Sequence, residues 1–275
     1  MINLFLYRQA YGFGNRILMW EAWYDFLSKQ KDDFRIKVCS QQYDTDYFDF
    51  PKTDIECCGL EWKELNKRLP FRLRRCRCGK VVNKNVIILS TFDKKVCSGD
   101  YLAFDGMKFD DTYQQHKRHI PNIKIRNNEL FQQISDRLQN TIGVHIRRGD
   151  TVDGPGHKGY GTNCTKLEHF MKKMDSYGSS QEFYVSTDGT YEEVKKIYDN
   201  YNVITSEHFG YKPRYKKMRW FGEDRHEFPK FSEIDLVDII ALRTCSKLIP
   251  SHSTWSDVCK VWGKYNGRGL LLSKW

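Results

Sequence analysis

The sequence predicts an α/β fold with parallel sheets, and three observations carry that expectation. Short apolar strands alternate with amphipathic helices along the chain. The loops carrying the most chemistry-bearing side chains follow directly on apolar strands, as in Ile142-Gly143-Val144-His145-Ile146-Arg147-Arg148. No internal repeat or low-complexity linker interrupts the pattern, and hydrophobic residues at 40% suffice for a packed core.

The first half opens with a strand over 3–7, the loop Tyr11-Gly12-Phe13-Gly14-Asn15, and a helix with Ile17, Trp20, Ala22, Trp23 and Phe26 at near-helical spacing. Residues 71–80 form a basic cluster, and Val86-Ile87-Ile88-Leu89 reads as a buried strand closing this half. The second half is more regular. A strand over 141–146 leads into the arginine-rich loop, and a helix follows with Leu167, Phe170, Met171 and Met174 on one face. A strand over 182–186 precedes Thr187-Asp188-Gly189 and a helix that turns Val194, Ile197 and Tyr198 inward; 201–204 reads as another strand. Ser232 is placed to cap a helix, with Asp235 three positions on as its capping-box partner and Leu236, Ile239 and Ile240 inward. A strand over 247–250 then meets Ser251-His252-Ser253-Thr254-Trp255-Ser256. This alternation makes residues from about 136 onward a Rossmann-like lobe, with functional loops at the strand C-termini.

Composition bounds the partners without choosing among them. A formal charge of +10 favours anions, be they nucleic acid, an anionic membrane face or a sugar nucleotide. Nine cysteines show no paired zinc spacing, so reduced thiols are the plain expectation, with a few disulfides in an oxidising lumen as the alternative. Asn163-Cys164-Thr165 fits the N-glycosylation pattern. No window approaches the roughly 20 apolar residues of a membrane helix. The reading favours a cytoplasmic protein, the alternative being a Golgi-luminal domain that has lost an N-terminal anchor.

Two adjacent guanidiniums after a strand suit a diphosphate. Their fork geometry gives bidentate contacts, and fixed positive charge stabilises a departing nucleotide diphosphate. Asp150 is positioned to hold one of them by charge pairing, and a plain surface ion pair is the alternative for the loop taken alone.

The loop does not stand alone. His145-Ile146-Arg147-Arg148-Gly149-Asp150 resembles the His-x-Arg-Arg-x-Asp element of the fucosyltransferase superfamily. Phe183-Tyr184-Val185-Ser186-Thr187-Asp188 resembles that family's strand ending in Thr-Asp. Val237-Asp238-Ile239 with Ser253-Thr254-Trp255-Ser256-Asp257-Val258-Cys259-Lys260 resembles its third motif, nearer the α1,6- and nodulation-type than the α1,2-type. Gly12-Phe13-Gly14 stands where the family has a Gly-rich loop opening on the donor. The likeness covers the second half well and the first half thinly.

What the resemblance implies is a GT-B-like fold of two facing Rossmann-like lobes, an N-terminal acceptor-side lobe over 1–135 and a C-terminal donor lobe over 136–275. The implied activity is inverting transfer of L-fucose from GDP-fucose to a hydroxyl of a glycan acceptor, with no metal and no nucleic-acid partner. Carried over residue by residue, Gly12 and Gly14 open on the donor, and His145 packs near the guanosine. Arg147 grips the β-phosphate, Arg148 supports the diphosphate region, and Asp188 shapes the loop beside the donor. Asp238 accepts from the guanine edge, and Ser256 donates a hydroxyl or backbone hydrogen bond to a phosphate. The base is where this chain departs from its relatives: their Glu falls here near Pro155, and Asp153 is the nearest carboxylate, with His157 the nearest imidazole. Asp44-Thr45-Asp46 fits the Asp-x-Asp pattern of metal-dependent transferases and reads chiefly as a loop. Two rival readings keep the chain's charge in view: a transferase using another sugar nucleotide, and a basic nucleic-acid-binding protein built on Arg72, Arg74, Arg75, Arg77 and Lys80.

Overall fold

Two parallel-stranded sheets organise the chain, one in each of two units, Met1–Arg126 and Asn127–Trp275. The structure, a computed structural model, describes residues 2–6, 33–39, 46–56, 79–83, 86–89, 123–148, 165–213 and 231–251. It also describes helical positions at 14, 17, 20, 21, 24, 28, 255, 256, 258 and 259.

In the first unit the strands are β1 (Ile2–Leu6), β2 (Phe34–Cys39), β3 (Phe48–Asp49), β4 (Thr53–Glu56), β5 (Gly79–Asn83), β6 (Val86–Leu89) and β7 (Lys124–Ile125). Five of them form a sheet in the order β4-β2-β1-β6-β5, parallel except for the β5–β6 pair. The expected strand at Val86–Leu89 therefore lies inside the sheet, with β5 beyond it. Phe34, Ile36 and Val38 are buried while Arg35 is exposed, so β2 turns one face to the core. The helical residues of 14–28 supply the apolar cover. Tyr24 meets Phe34 edge-on at 5.5 Å, and the Trp20 indole N–H donates to Thr53 Oγ1 at 3.0 Å, which answers the one polar atom of a fully buried ring. Gly14, expected in the loop after β1, is helical and buried.

The second unit contains α1 (Asn128–Leu138), β8 (Ile142–Ile146), α2 (Leu167–Asp175), β9 (Glu182–Thr187), α3 (Tyr191–Asn200), β10 (Asn202–Ile204), α4 (Glu233–Thr244) and β11 (Lys247–Ile249). Its sheet runs β10-β9-β8-β11, all parallel. Successive strands move outward from β8 through β9 to β10, and the chain then returns to place β11 on the other side of β8. The winding direction reverses between β8 and β11.

Side-chain parity sorts this sheet into two faces. Ile142, Val144 and Ile146 of β8 and Phe183 and Val185 of β9 join Phe170 and Met174 of α2 and Val194 and Ile197 of α3 in one core. Tyr198, expected inward, is half-buried against that core. Each fully buried side chain of this size contributes about 1.5–3 kcal/mol. The opposite face carries Gly143 and His145 of β8 and Tyr184 and Ser186 of β9, and α4 lies on it. A Cβ on Gly143 would stand 3.2 Å from Leu242 Cδ2 and 3.3 Å from Leu248 Cδ1, so the glycine lets α4 approach the strand closely. Leu236, Val237, Ile239, Ile240, Ala241 and Leu242 are all buried, because α4 has the sheet on one side and α1 on another. Its start is fixed as expected: the Ser232 amide donates to Asp235 Oδ2 at 2.8 Å. No helix among the described residues is long and apolar enough to cross a membrane.

Candidate donor site at the C-terminal ends of β8, β9 and β11

Open parallel sheets leave a crevice at the C-terminal strand ends where the winding reverses. Here that point lies beside β8, whose last residues run into Arg147 and Arg148. His145 is registered directly opposite Ser186 of β9, and Ile146 opposite Thr187. On the other side β11 pairs with β8 up to Ile249 and Val144, so Ser251 emerges two residues later beside the same strand end.

His145 is 6% exposed and its ring is held through Nδ1. Ser256 Oγ lies 2.7 Å from that nitrogen and Ser251 Oγ 3.0 Å. The Ser251 amide donates in turn to Ser256 Oγ at 3.2 Å. Burial, helped by the neighbouring Arg147 cation, holds the imidazole down at about 3 against an ordinary 6.5. His145 is therefore a neutral hydrogen-bonding group at physiological pH, and the cation that helps keep it so is Arg147, two residues further along the chain. The hydroxyl of Ser256, one of the two donors the resemblance offers to a phosphate, is fully buried and engaged with His145.

Asp238 sits on α4 over the end of β9. Tyr184 Oη donates to its Oδ1 at 2.6 Å and Ser186 Oγ to its Oδ2 at 2.9 Å. Both donors come from one face of one strand, so the carboxylate plane is set by the sheet. The Tyr184 hydroxyl titrates well above its usual range, first through burial and then through the adjacent carboxylate.

Arg148 is 9% exposed, and the Thr187-Asp188-Gly189 turn grips its backbone and stem. Asp188 Oδ1 accepts from the Arg148 amide at 2.5 Å. The Thr187 hydroxyl donates to the Ile146 carbonyl at 2.8 Å and accepts from the Gly189 amide at 3.0 Å. A Cβ on Gly189 would stand 2.8 Å from Arg148 Cβ and 2.9 Å from its Cγ, so only glycine leaves room for the arginine stem. Asp188 shapes the arginine loop through the main chain. Arg147, by contrast, is only partly buried.

His145, Arg147, Arg148, Asp188, Asp238 and Ser256 thus gather at one end of the second sheet. Gly14 belongs to the first unit, and Gly12, Gly149, Asp150, Asp153 and His157 lie outside the described residues. So do Asp44 and Thr45; Asp46 is exposed in a turn. Tyr184, Ser186, Gly189 and Ser251 belong to the same constellation and carried no role in the sequence reading. Only the even spacing of Tyr184, Ser186 and Asp188 gave a signal, since it puts 184 and 186 on one face of a strand.

Comparison with known proteins gives a fold. No protein-family model matches the sequence, and no curated protein matches it. Among solved structures, the fucosyltransferase NodZ from Bradyrhizobium is similar at a TM-score of 0.50 and 13% identity, over 95% of this chain and 92% of that one. The fold is GT-B-like. It is α/β, with a mostly parallel Rossmann-like sheet in each unit. The heptosyltransferase WaaC of E. coli, solved with ADP, is similar at a TM-score of 0.44 and 11% identity, over 95% of this chain and 84% of that one.

Proposed function

We propose that this chain is a glycosyltransferase that takes L-fucose from GDP-fucose and passes it, with inversion, to a hydroxyl of a glycan acceptor. The observation that carries the reading is the meeting of two kinds of group at one sheet end. A cationic pair suited to a diphosphate follows β8, and a carboxylate whose plane is set by Tyr184 and Ser186 stands over the neighbouring β9. A guanine edge offers a ring N–H and an exocyclic amine side by side, a donor pair that one carboxylate meets with both oxygens. The similarity to a fucosyltransferase structure supports the fold on which such a site is built.

In this reading Asp238 takes the base and His145 hydrogen-bonds the nucleoside side of the donor. Arg147 meets the β-phosphate and stabilises the charge that develops on it as the anomeric C–O bond breaks. Arg148, fixed by Asp188 and Gly189, supports the same loop. The acceptor hydroxyl attacks the anomeric carbon from the opposite face, its proton passes to a carboxylate, and GDP departs with the bonding electron pair. Asp153 is assigned that base role, and the cationic side chains stand where other transferases use a divalent metal.

The test is release of GDP from GDP-fucose in the presence of an array of glycans, run with and without a chelator. Glycan-dependent release that survives the chelator is the expected result. Release from UDP- or ADP-sugars in preference to GDP-fucose contradicts the donor assignment.

A further inference from the structure

Two serine hydroxyls converge on one ring nitrogen in a buried setting, and that arrangement constrains where the histidine proton sits. Ser256 Oγ and Ser251 Oγ stand 2.7 and 3.0 Å from His145 Nδ1. Ser251 is 6% exposed and Ser256 is fully buried. If Nδ1 carried the proton, it would share one N–H between two oxygens, and both hydroxyl protons would need other acceptors. No other acceptor for either hydroxyl occurs among the described residues. With Nδ1 bare, its single lone pair takes the Ser256 hydroxyl at 2.7 Å and shares more weakly with the Ser251 hydroxyl at 3.0 Å, and the lone pairs of Ser256 Oγ remain open to the Ser251 amide that donates to it at 3.2 Å. The hydrogen-bond chain is then satisfied in one direction only, from the Ser251 amide through the Ser256 hydroxyl to the imidazole.

We infer that Ser251 and Ser256 are positioning residues that fix His145 in the Nε2-protonated tautomer, so that the site presents a constant neutral N–H donor to an oxygen acceptor on the bound nucleotide. The proposal rests on the function above only for what Nε2–H meets. Among the described residues Nε2 has no partner, so its proton is the one polar feature the ring can offer a ligand. A group held this way orients and does not take up the acceptor's proton, which leaves the base role to a carboxylate. Ser251 follows β11 and Ser256 lies in the helical segment after it, so the device joins the two strand ends that flank the reversal of winding.

The test is long-range proton–nitrogen NMR on the full chain labelled at histidine nitrogens, with the His145 signals assigned by their loss in His145→Gln. The expected spectrum at neutral pH has an unprotonated Nδ1 and a protonated Nε2. In the Ser251→Ala, Ser256→Ala double variant the two nitrogens should move toward the averaged values of exchanging tautomers. GDP affinity should fall by up to about tenfold, the scale of one lost hydrogen bond. Ser256→Thr, which keeps the hydroxyl, should restore both readouts. A protonated Nδ1 in the wild-type chain overturns the inference, as does a double variant with unchanged spectrum and affinity. A wild-type chain with the expected tautomer that binds no GDP overturns the proposed function and leaves the role of the serine pair standing.

Discussion

Asp188 accepts a hydrogen bond from the Arg148 backbone amide at 2.5 Å, across a gap of 40 residues. That bond ties the loop after β9 to the loop after β8, so the arginine pair leaves its strand in a direction set by the neighbouring strand. Asp188→Ala removes the only side chain that fixes this amide among the described bonds. The expected cost is about 1–3 kcal/mol of stability, the penalty of leaving a buried donor unanswered. Asp188→Asn, which keeps an acceptor oxygen, should recover most of it. Denaturant unfolding of the three proteins measures the difference, and a transfer assay should show the same order.

Gly189→Ala tests the same junction by volume. The new methyl would meet Arg148 Cβ at 2.8 Å and Cγ at 2.9 Å, and Glu193 Oε2 at 3.0 Å. Arg148 must move, at about 1–3 kcal/mol for an overpacked site. The thermal midpoint should fall, and nucleotide affinity should fall with it because the displaced stem carries a guanidinium of the site. An affinity that holds while the midpoint drops separates Arg148 from ligand binding.

A pH dependence of stability follows from His145. Burial first, and Arg147 second, hold its folded-state pKa near 3, below the ordinary 6.5 expected when the chain unfolds. Between those values the unfolded chain takes up a proton that the folded chain refuses. The stabilisation is complete above about pH 6.5 and is lost progressively as pH falls toward 3, by about 1.4 kcal/mol per unit at the steepest. Unfolding free energies measured across that window should slope less in His145→Gln than in the wild type. Equal slopes would remove His145 from the pH response.

Asp238→Ala should act on two quantities at once. It leaves the buried hydroxyl of Tyr184 and that of Ser186 without their acceptor, a loss of about 1–3 kcal/mol. It also removes the group assigned to the guanine edge, so the preference for GDP over other nucleoside diphosphates should collapse rather than affinity falling evenly. Calorimetry with GDP, ADP and UDP distinguishes the two. A variant that is less stable yet keeps its preference makes Asp238 a structural tie between α4 and β9.

The second unit was readable because local rules and tertiary environment agree there. The apolar run ending in Ile146 is buried along its whole length, and the capping box at Ser232 forms as its spacing implies. What sequence hides is contact between distant segments. Ser251 meets His145 across 106 residues and Tyr184 meets Asp238 across 54, and no periodicity records which polar side chain faces which. In the first unit β2 and β4 escaped the reading because charged residues interrupt them: Arg35 and Lys37 in one, Asp54 and Glu56 in the other. The Gly-rich setting of Gly14 predicts a loop, but the residue is buried in the helix that follows, where packing outweighs its low helix propensity.

The central claim is that the end of the second sheet binds a guanosine diphosphate sugar through Arg147 and Asp238. A thermal-shift panel of GDP, UDP, CMP and ADP with their sugar conjugates, on the wild type and on Arg147→Ala, tests it most directly. Stabilisation grows with ligand in excess of its dissociation constant, by about 2.7 kcal/mol at a hundredfold excess. GDP and GDP-fucose alone should raise the midpoint of the wild type, and Arg147→Ala should melt like the free wild type with or without them. Equal shifts by all nucleotides, or an undiminished GDP shift in Arg147→Ala, would contradict it.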